Sequence, residues 1–255
     1  MNLTNKQIRE RARHLLDDNV FGKDWLKSVV TIFLTMALVF VIIYGAILVT
    51  ALVVTLLSAL LIAILPGANQ TLIMVIAYLV VLLVEALVGA GISGNAAIGL
   101  ASVNLDLVRG DGSISIRKFL DGFRNFADHF MLGFMWSLQI ALWSFLFIIP
   151  GFYVTYSYAL AFHIKADHPE YHWRECLDES ERLMSGNRWR LFKLDMSFLG
   201  WTLLGMLAFS GVGEFWALSY QLTSRAVFYE QVKAEKDNLV DEYGMSTSGP
   251  IVYSR

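Results

Sequence analysis

Charge is what this chain has least of. Only 16% of its 255 residues are Asp, Glu, Lys or Arg, where a soluble domain carries about 25%. Between Lys27 and Glu85 there is none at all. That gap excludes a water-soluble fold for the stretch, because such a run has no polar face to turn to solvent. Cysteine occurs once, as Cys176, so no internal disulfide can form, and one to a second chain is not expected on a cytoplasmic face. Proline occurs four times, and Pro66, Pro150 and Pro169 fall where apolar or amphipathic runs begin or end. A cleavable signal peptide is also missing: the first apolar run is too long, follows a charged stretch, and has no small-residue cleavage site after it. Catalytic constellations are absent too. No nucleophile–base pair and no metal-ligand cluster stands at membrane depth, so neither enzymatic activity nor a cofactor is expected.

What is present is apolar surface. Hydrophobic residues make up 56% of the chain and the mean hydropathy is +0.54. A bilayer is the solvent that accepts such a surface, and one spanning helix needs about 20 residues. The expected fold is therefore all-α and polytopic: about six transmembrane helices, with amphipathic helices on the cytoplasmic side.

In chain order, residues 1–27 hold an amphipathic helix from Thr4 to Asp18, opened by a capping box in Thr4 and Gln7. Its apolar face carries Ile8, Ala12, Leu15 and Leu16, and Arg9, Arg11 and Arg13 lie off that face. Such a helix can rest on anionic lipid or pack on other cytoplasmic segments. The integral domain covers 28–232. It begins with a long hairpin, Leu26–Leu65 and Leu72–Leu105, turning at Pro66-Gly67-Ala68-Asn69. Each arm is longer than a bilayer core is thick, so it must tilt, kink or protrude. Small residues recur every fourth position in the second arm, as Gly89, Ser93, Ala97 and Ala101, and as Ala86, Ala90 and Gly94. That spacing lets another helix approach closely.

Beyond a turn at Arg109-Gly110-Asp111-Gly112, a second amphipathic segment lies near 113–129 and leads into the apolar run 130–149. Pro150-Gly151 turns the chain into a short apolar segment, 152–164, which carries Tyr153, Thr155, Tyr156, Ser157 and Tyr158. A third amphipathic helix, 169–187, has Pro169 in its first turn and Gly186-Asn187 as its stop. Two further apolar segments, 191–210 and 215–229, turn at Gly211-Val212-Gly213, and 233–255 is expected to be a disordered cytoplasmic tail.

All twenty Lys and Arg residues fall in four stretches: 1–27, 105–129, 165–193 and 225–255. The turns between them carry none. Basic residues stay on the cytoplasmic side, so the pattern predicts a multi-pass protein of the cell membrane with both termini in the cytoplasm.

Four polar residues mark a candidate intramembrane site: Glu85, Gln139, Tyr156 and Gln221. An acid at membrane depth is costly and is a functional candidate by default; the others also serve as interhelical glue. Arg188, Arg190 and Lys193 interleave with Trp189 and Phe192 as candidate lipid-contacting basic residues. His168, His172 and Cys176 lie at helical spacing, yet no fourth ligand accompanies them, and no metal site is expected.

Residues 145–232 resemble an uncharacterised family of bacterial integral membrane proteins, domain of unknown function 975 (DUF975). The residues that carry the resemblance are Pro150-Gly151, Tyr156-Ser157-Tyr158, Asp167-His168-Pro169, Ser180, Met184-Ser185-Gly186-Asn187, Arg190-Leu191-Phe192, Leu194-Asp195, Ser197-Phe198, Gly200-Trp201, Ala226, Tyr229 and Glu230. The resemblance implies a bacterial cell membrane and no reaction. Two functions compete on these observations. The first is a non-enzymatic protein that organises or scaffolds membrane components, with the lipid bilayer and a cytoplasmic or membrane protein as partners and no nucleic acid. The second is a transporter, permease or lipid-handling channel built around Glu85.

Overall fold

The structure, a computed structural model, describes residues 3–17, 22–65, 67, 69–110, 116–207 and 213–243. Every regular element among them is a helix. The tips of two expected turns (66 and 68; 111 and 112), residues 211–212 of a third, and residues 244–255 of the expected tail lie outside the described residues.

The first helix, α1 (Asn5–Leu15), begins with the expected capping box: the Thr4 amide donates to Gln7 Oε1 at 2.8 Å. Its apolar face is taken up by protein. Ile8, Ala12 and Leu16 are fully buried, and the Tyr220 hydroxyl donates to the Arg9 carbonyl at 3.0 Å. Of the two expected placements for this helix, packing on another segment is the one the structure adopts.

The long hairpin is α2 (Lys23–Ile64) and α3 (Gln70–Arg109). Asn69 caps α3 by accepting from the Leu72 amide at 3.2 Å, and Gly110, with φ of 76°, ends it in the left-handed region that suits glycine. Next come α4 (Ile116–Asp121) and α5 (Phe126–Leu146). At one point α3 and α5 meet backbone on backbone, glycine on glycine. A Cβ built on Gly133 would meet the Gly94 Cα at 2.5 Å and the Ala90 carbonyl oxygen at 2.9 Å. Only one of the two small-residue series is used in this way, since a Cβ on Gly89 would meet nothing.

Three helices, α2, α3 and α5, are long and apolar enough to cross a membrane. The expected fourth, fifth and sixth spans do not form as such, and each has its own reason. The fourth is broken into α6 (Ile148–Ser157) and α7 (Ala161–Asp167). Pro150 lies inside the first turn of α6 and not at the chain reversal, which falls at the extended residue Phe147. The break is held by side chains from elsewhere: Ser180 Oγ donates to the Ser157 carbonyl at 2.9 Å and accepts from the Leu160 amide at 3.2 Å, while Trp136 Nε1 donates to the Tyr158 carbonyl at 3.1 Å.

After α8 (Trp173–Met184), the fifth segment divides into α9 (Arg188–Met196) and α10 (Leu199–Leu207). The sixth belongs to α11 (Glu214–Tyr243), whose start lies beside the start of α2. Trp25 Nε1 donates to the Trp216 carbonyl at 3.4 Å, Ser219 donates to Ser28 at 2.6 Å, and the Phe33 and Phe215 rings meet at 5.7 Å. From Phe33, α2 runs on for about 31 residues, or about 46 Å, beyond the point where α11 begins. The apolar residues of α11 instead fill a protein core, where Ala226, Val227, Phe228, Tyr229 and Val232 meet α1, α3, α8 and α9.

Two boundaries also differ from expectation. Pro169 precedes α8 by a turn and does not open it; Glu175 Oε2 accepts from the His172 amide at 2.7 Å and marks the start. In addition, α11 continues to Tyr243, through the first part of the expected disordered tail. Arg190 holds it there, donating to Glu235 at 2.8 Å.

Candidate functional site

The polar side chains gather where the broken helices meet α11 and the end of α3. Asp195 is at the centre of one cluster. It stands in the last turn of α9, just before the break at Ser197 and Phe198, and its side chain is 8% exposed. Arg225 on α11 grips it with both ends of the guanidinium, Nε to Oδ1 at 3.0 Å and a terminal nitrogen to Oδ2 at 2.8 Å. Gln221, one turn earlier, donates to Oδ1 at 3.2 Å, and the Tyr156 hydroxyl on α6 donates to Oδ2 at 3.3 Å. Two parallel charge-assisted bonds from an arginine are the strong form of ion pair. With both carboxylate oxygens engaged, Asp195 is a clamp between α6, α9 and α11.

The expected intramembrane site is thus half assembled. Tyr156 and Gln221 come together, on Asp195. Glu85 and Gln139 are not part of that cluster: Gln139 is half-buried on α5, and Glu85 lies on α3 with both carboxylate oxygens buried and without a hydrogen-bond partner among the described residues. Sequence reasoning missed Asp195 and Arg225 as the residues that join the other two. Both were legible as charges next to apolar segments, and Asp195 is one of the residues that carry the family resemblance.

A second node is Asp167 at the end of α7, also 8% exposed. Arg109 at the end of α3 reaches it at 2.6 Å and reaches Glu230 at 2.7 Å. Tyr229 donates to it at 2.9 Å, and Lys233 pairs with it from α11. Burial on its own would raise the Asp167 carboxyl, but the bonds from Lys233, Arg109 and Tyr229 outweigh burial and hold it at about 2. A carboxyl depressed on folding stabilises the protein above its unfolded value of about 3.9, and that contribution is lost as pH falls toward the folded one. The stability gap between wild type and Asp167→Asn, read from melting in micelles, is expected to shrink by about 2 kcal/mol between pH 5 and pH 2. A gap unchanged over that range would show that the node adds no linked stability.

Lys165 on α7 is a third node, 2% exposed. Its ammonium pairs with Asp128 on α5 and donates to the carbonyls of Pro169, at 3.0 Å, and Tyr171. Arg188 and Arg190, expected against lipid, face protein instead. Arg188 donates to Ser157 Oγ at 2.8 Å and lies over the Tyr153 ring, and Arg190 joins Glu235 and Asn187. Lys193 is exposed beside the Trp189 ring. Among the described residues no group of three His, Cys, Asp or Glu side chains is placed to hold a metal ion. His168 stacks on Tyr171, while Cys176 is fully buried and burial pushes its thiol up to about 12, so it is no ready nucleophile.

Residues 145–236 match the family described as protein of unknown function (DUF975). Over these residues the resemblance to DUF975 holds. The DUF975 stretch contains the two broken helices and most of the three nodes. Several residues that mark it have a structural task here: Asp195 and Asp167 are clamp centres, Ser180 holds the break between α6 and α7, and Gly186, with φ of 82°, ends α8. No curated protein and no solved structure matches the chain.

Proposed function

We propose that the chain is a multi-pass protein of the bacterial cell membrane that organises other membrane components and catalyses no reaction. The reading has α2, α3, α5 and α6 crossing the bilayer, with α7 already in the cytoplasmic base. The hairpin of α10 and the start of α11 stays at the cytoplasmic base. Four crossings return the chain to its starting side, which agrees with basic residues confined to one face. The observation that carries the proposal is how the polar groups are used. Asp195, Asp167, Lys165 and Arg190 are each engaged by a partner from another helix, which makes the base a cross-linked layer and not a lined path. Outside that layer, α1 presents Arg11 and Arg13 exposed, a basic surface suited to an acidic protein partner or anionic headgroups.

A second reading, transport, draws on one feature. Two interrupted helices, α6–α7 and α9–α10, meet at Tyr156 and Asp195, and interrupted helices build the sites of many transporters.

Two experiments separate these readings. A photo-crosslinking residue at Arg11 or Arg13 in living cells is expected to yield a discrete protein adduct, while purified protein in liposomes gives no proton or solute flux. Flux that Glu85→Gln abolishes would overturn the organising role in favour of transport.

A further inference from the structure

The membrane-crossing helices leave one apolar element over, α10. From Met196 to Gly213 the chain has no charged residue, yet α10 itself, Leu199–Leu207, is only about 14 Å long. A hydrocarbon core is about 30 Å thick, so α10 is too short to cross it. Its outer face is not covered by protein. Leu203 is 54% exposed and Leu204 63%, and Leu199 and Trp201 are exposed beside them. In water such a face invites association.

The neighbours of α10 fix its height. One ring, Tyr220 on α11, meets Trp25 of α2 at 5.8 Å, Phe198 at 4.9 Å and Trp201 of α10 at 6.2 Å. Nearer the start of α11, a Cβ on Gly205 would touch the Gly213 carbonyl oxygen and the Glu214 amide nitrogen, each at 2.9 Å. From Tyr220 back to Glu214, α11 measures about 9 Å. Thus α10 runs antiparallel to α11, level with the first turns of α2, where Phe33 meets Phe215. Those turns of α2 show an apolar flank outward, with Leu26, Val30 and Phe33 exposed. A helix that crosses the bilayer borders lipid along such a flank, and α10 stands beside it. The Tyr220 hydroxyl points to α1, donating to the Arg9 carbonyl at 3.0 Å, and α1 carries the exposed Arg11 and Arg13. Those two cations belong among the headgroups or in water. Glu214, exposed at the start of α11, limits the depth, since a carboxylate at the bilayer centre is costly.

We propose that α10 and the first turn of α11 lie within the cytoplasmic leaflet and do not cross the midplane, with Leu199, Leu203 and Leu204 against acyl chains. This placement rests on the membrane reading of α2 and deepens it. The partner of the exposed α10 face is the lipid of one leaflet, continuous with the lipid that borders α2.

Nitroxide labels on the full-length protein, in liposomes of phosphatidylethanolamine and phosphatidylglycerol, test this. Leu203→Cys places a label on α10, Leu79→Cys on the exposed face of α3, and Arg13→Cys on α1. Cys176 stays in place, being fully buried, and wild type carried through the labelling gives the blank. Collisions with oxygen report lipid; collisions with a nickel chelate report water. At Leu203 oxygen is expected to dominate, at a depth of less than about 15 Å, half of the hydrocarbon core. At Arg13 the chelate is expected to dominate. Leu204→Cys must read as Leu203→Cys does, and it decides if Leu203→Cys does not fold. A chelate that reaches the α10 label overturns the proposal. So does a label that neither reagent reaches, because protein then covers the face, and so does a depth past the midplane. If the Leu79 label meets the chelate as well, the membrane reading has failed; if that label stays in lipid, only the placement of α10 has.

Discussion

Arg225→Leu is expected to lower the unfolding free energy by about 3 kcal/mol. The Asp195 carboxylate is 8% exposed and takes its only cationic contacts among the described residues from that guanidinium. Removing one partner of such a pair leaves a desolvated charge, and in buried pairs this costs about 3–5 kcal/mol. The lower end applies because Arg225 is itself 34% exposed. Gln221 and Tyr156 still donate to Asp195 in the variant but bring no charge. Asp195→Asn in the Arg225→Leu background removes the stranded charge and is expected to recover part of the loss. Thermal melting of the four proteins of this cycle, in one detergent, gives the coupling energy. Two losses that simply add would mean the clamp is not a unit.

Gly133→Val is expected to cost about as much by a different route. The α3–α5 contact is backbone on backbone, with the Gly94 amide nitrogen 2.8 Å and the Gly94 Cα 2.5 Å from where a Cβ on Gly133 would stand. No flexible side chain is there to swing aside, so the two helices must separate along their length. Overpacking of this kind costs about 1–3 kcal/mol, occasionally more. Gly94→Ala presses on the same point and is expected to be less than additive with it. Crosslinking yield between cysteines placed on α3 and α5, alongside melting, separates a moved helix from a merely weakened one.

These two sites were not equally visible in the sequence. The series containing Ala90 and Gly94 was legible as a packing stripe, since small residues at fourth positions have few other uses in an apolar helix. Nothing in the pattern said that the parallel series would be open at Gly89. The helical class, the α1 capping box and the long first hairpin were legible for the same local reasons. The number of spans was not. An apolar run such as Ala226–Phe228 reads alike whether it faces lipid or a protein core, and here the core claims it. The break in α6–α7 depends on Ser180, which arrives from another helix, so no window around residue 158 contains its cause. Tyr156 and Gln221 stood out as polar residues in apolar company. Asp195 and Arg225 did not, because a charge at the edge of an apolar run passes for one more interfacial anchor.

Pairing in the layer of nodes has a further consequence, for ionic strength. Exposed charges are largely screened beyond a Debye length of about 8 Å in physiological salt, while contacts at bonding distance in a part-buried layer are screened far less. Asp195, Asp167 and Glu235 are 8%, 8% and 20% exposed in their pairs, whereas Arg11 and Arg13 on α1 stand in the open. Raising salt therefore sorts this protein's charges into two populations. The fold keeps its own, and whatever the basic face of α1 holds is released first.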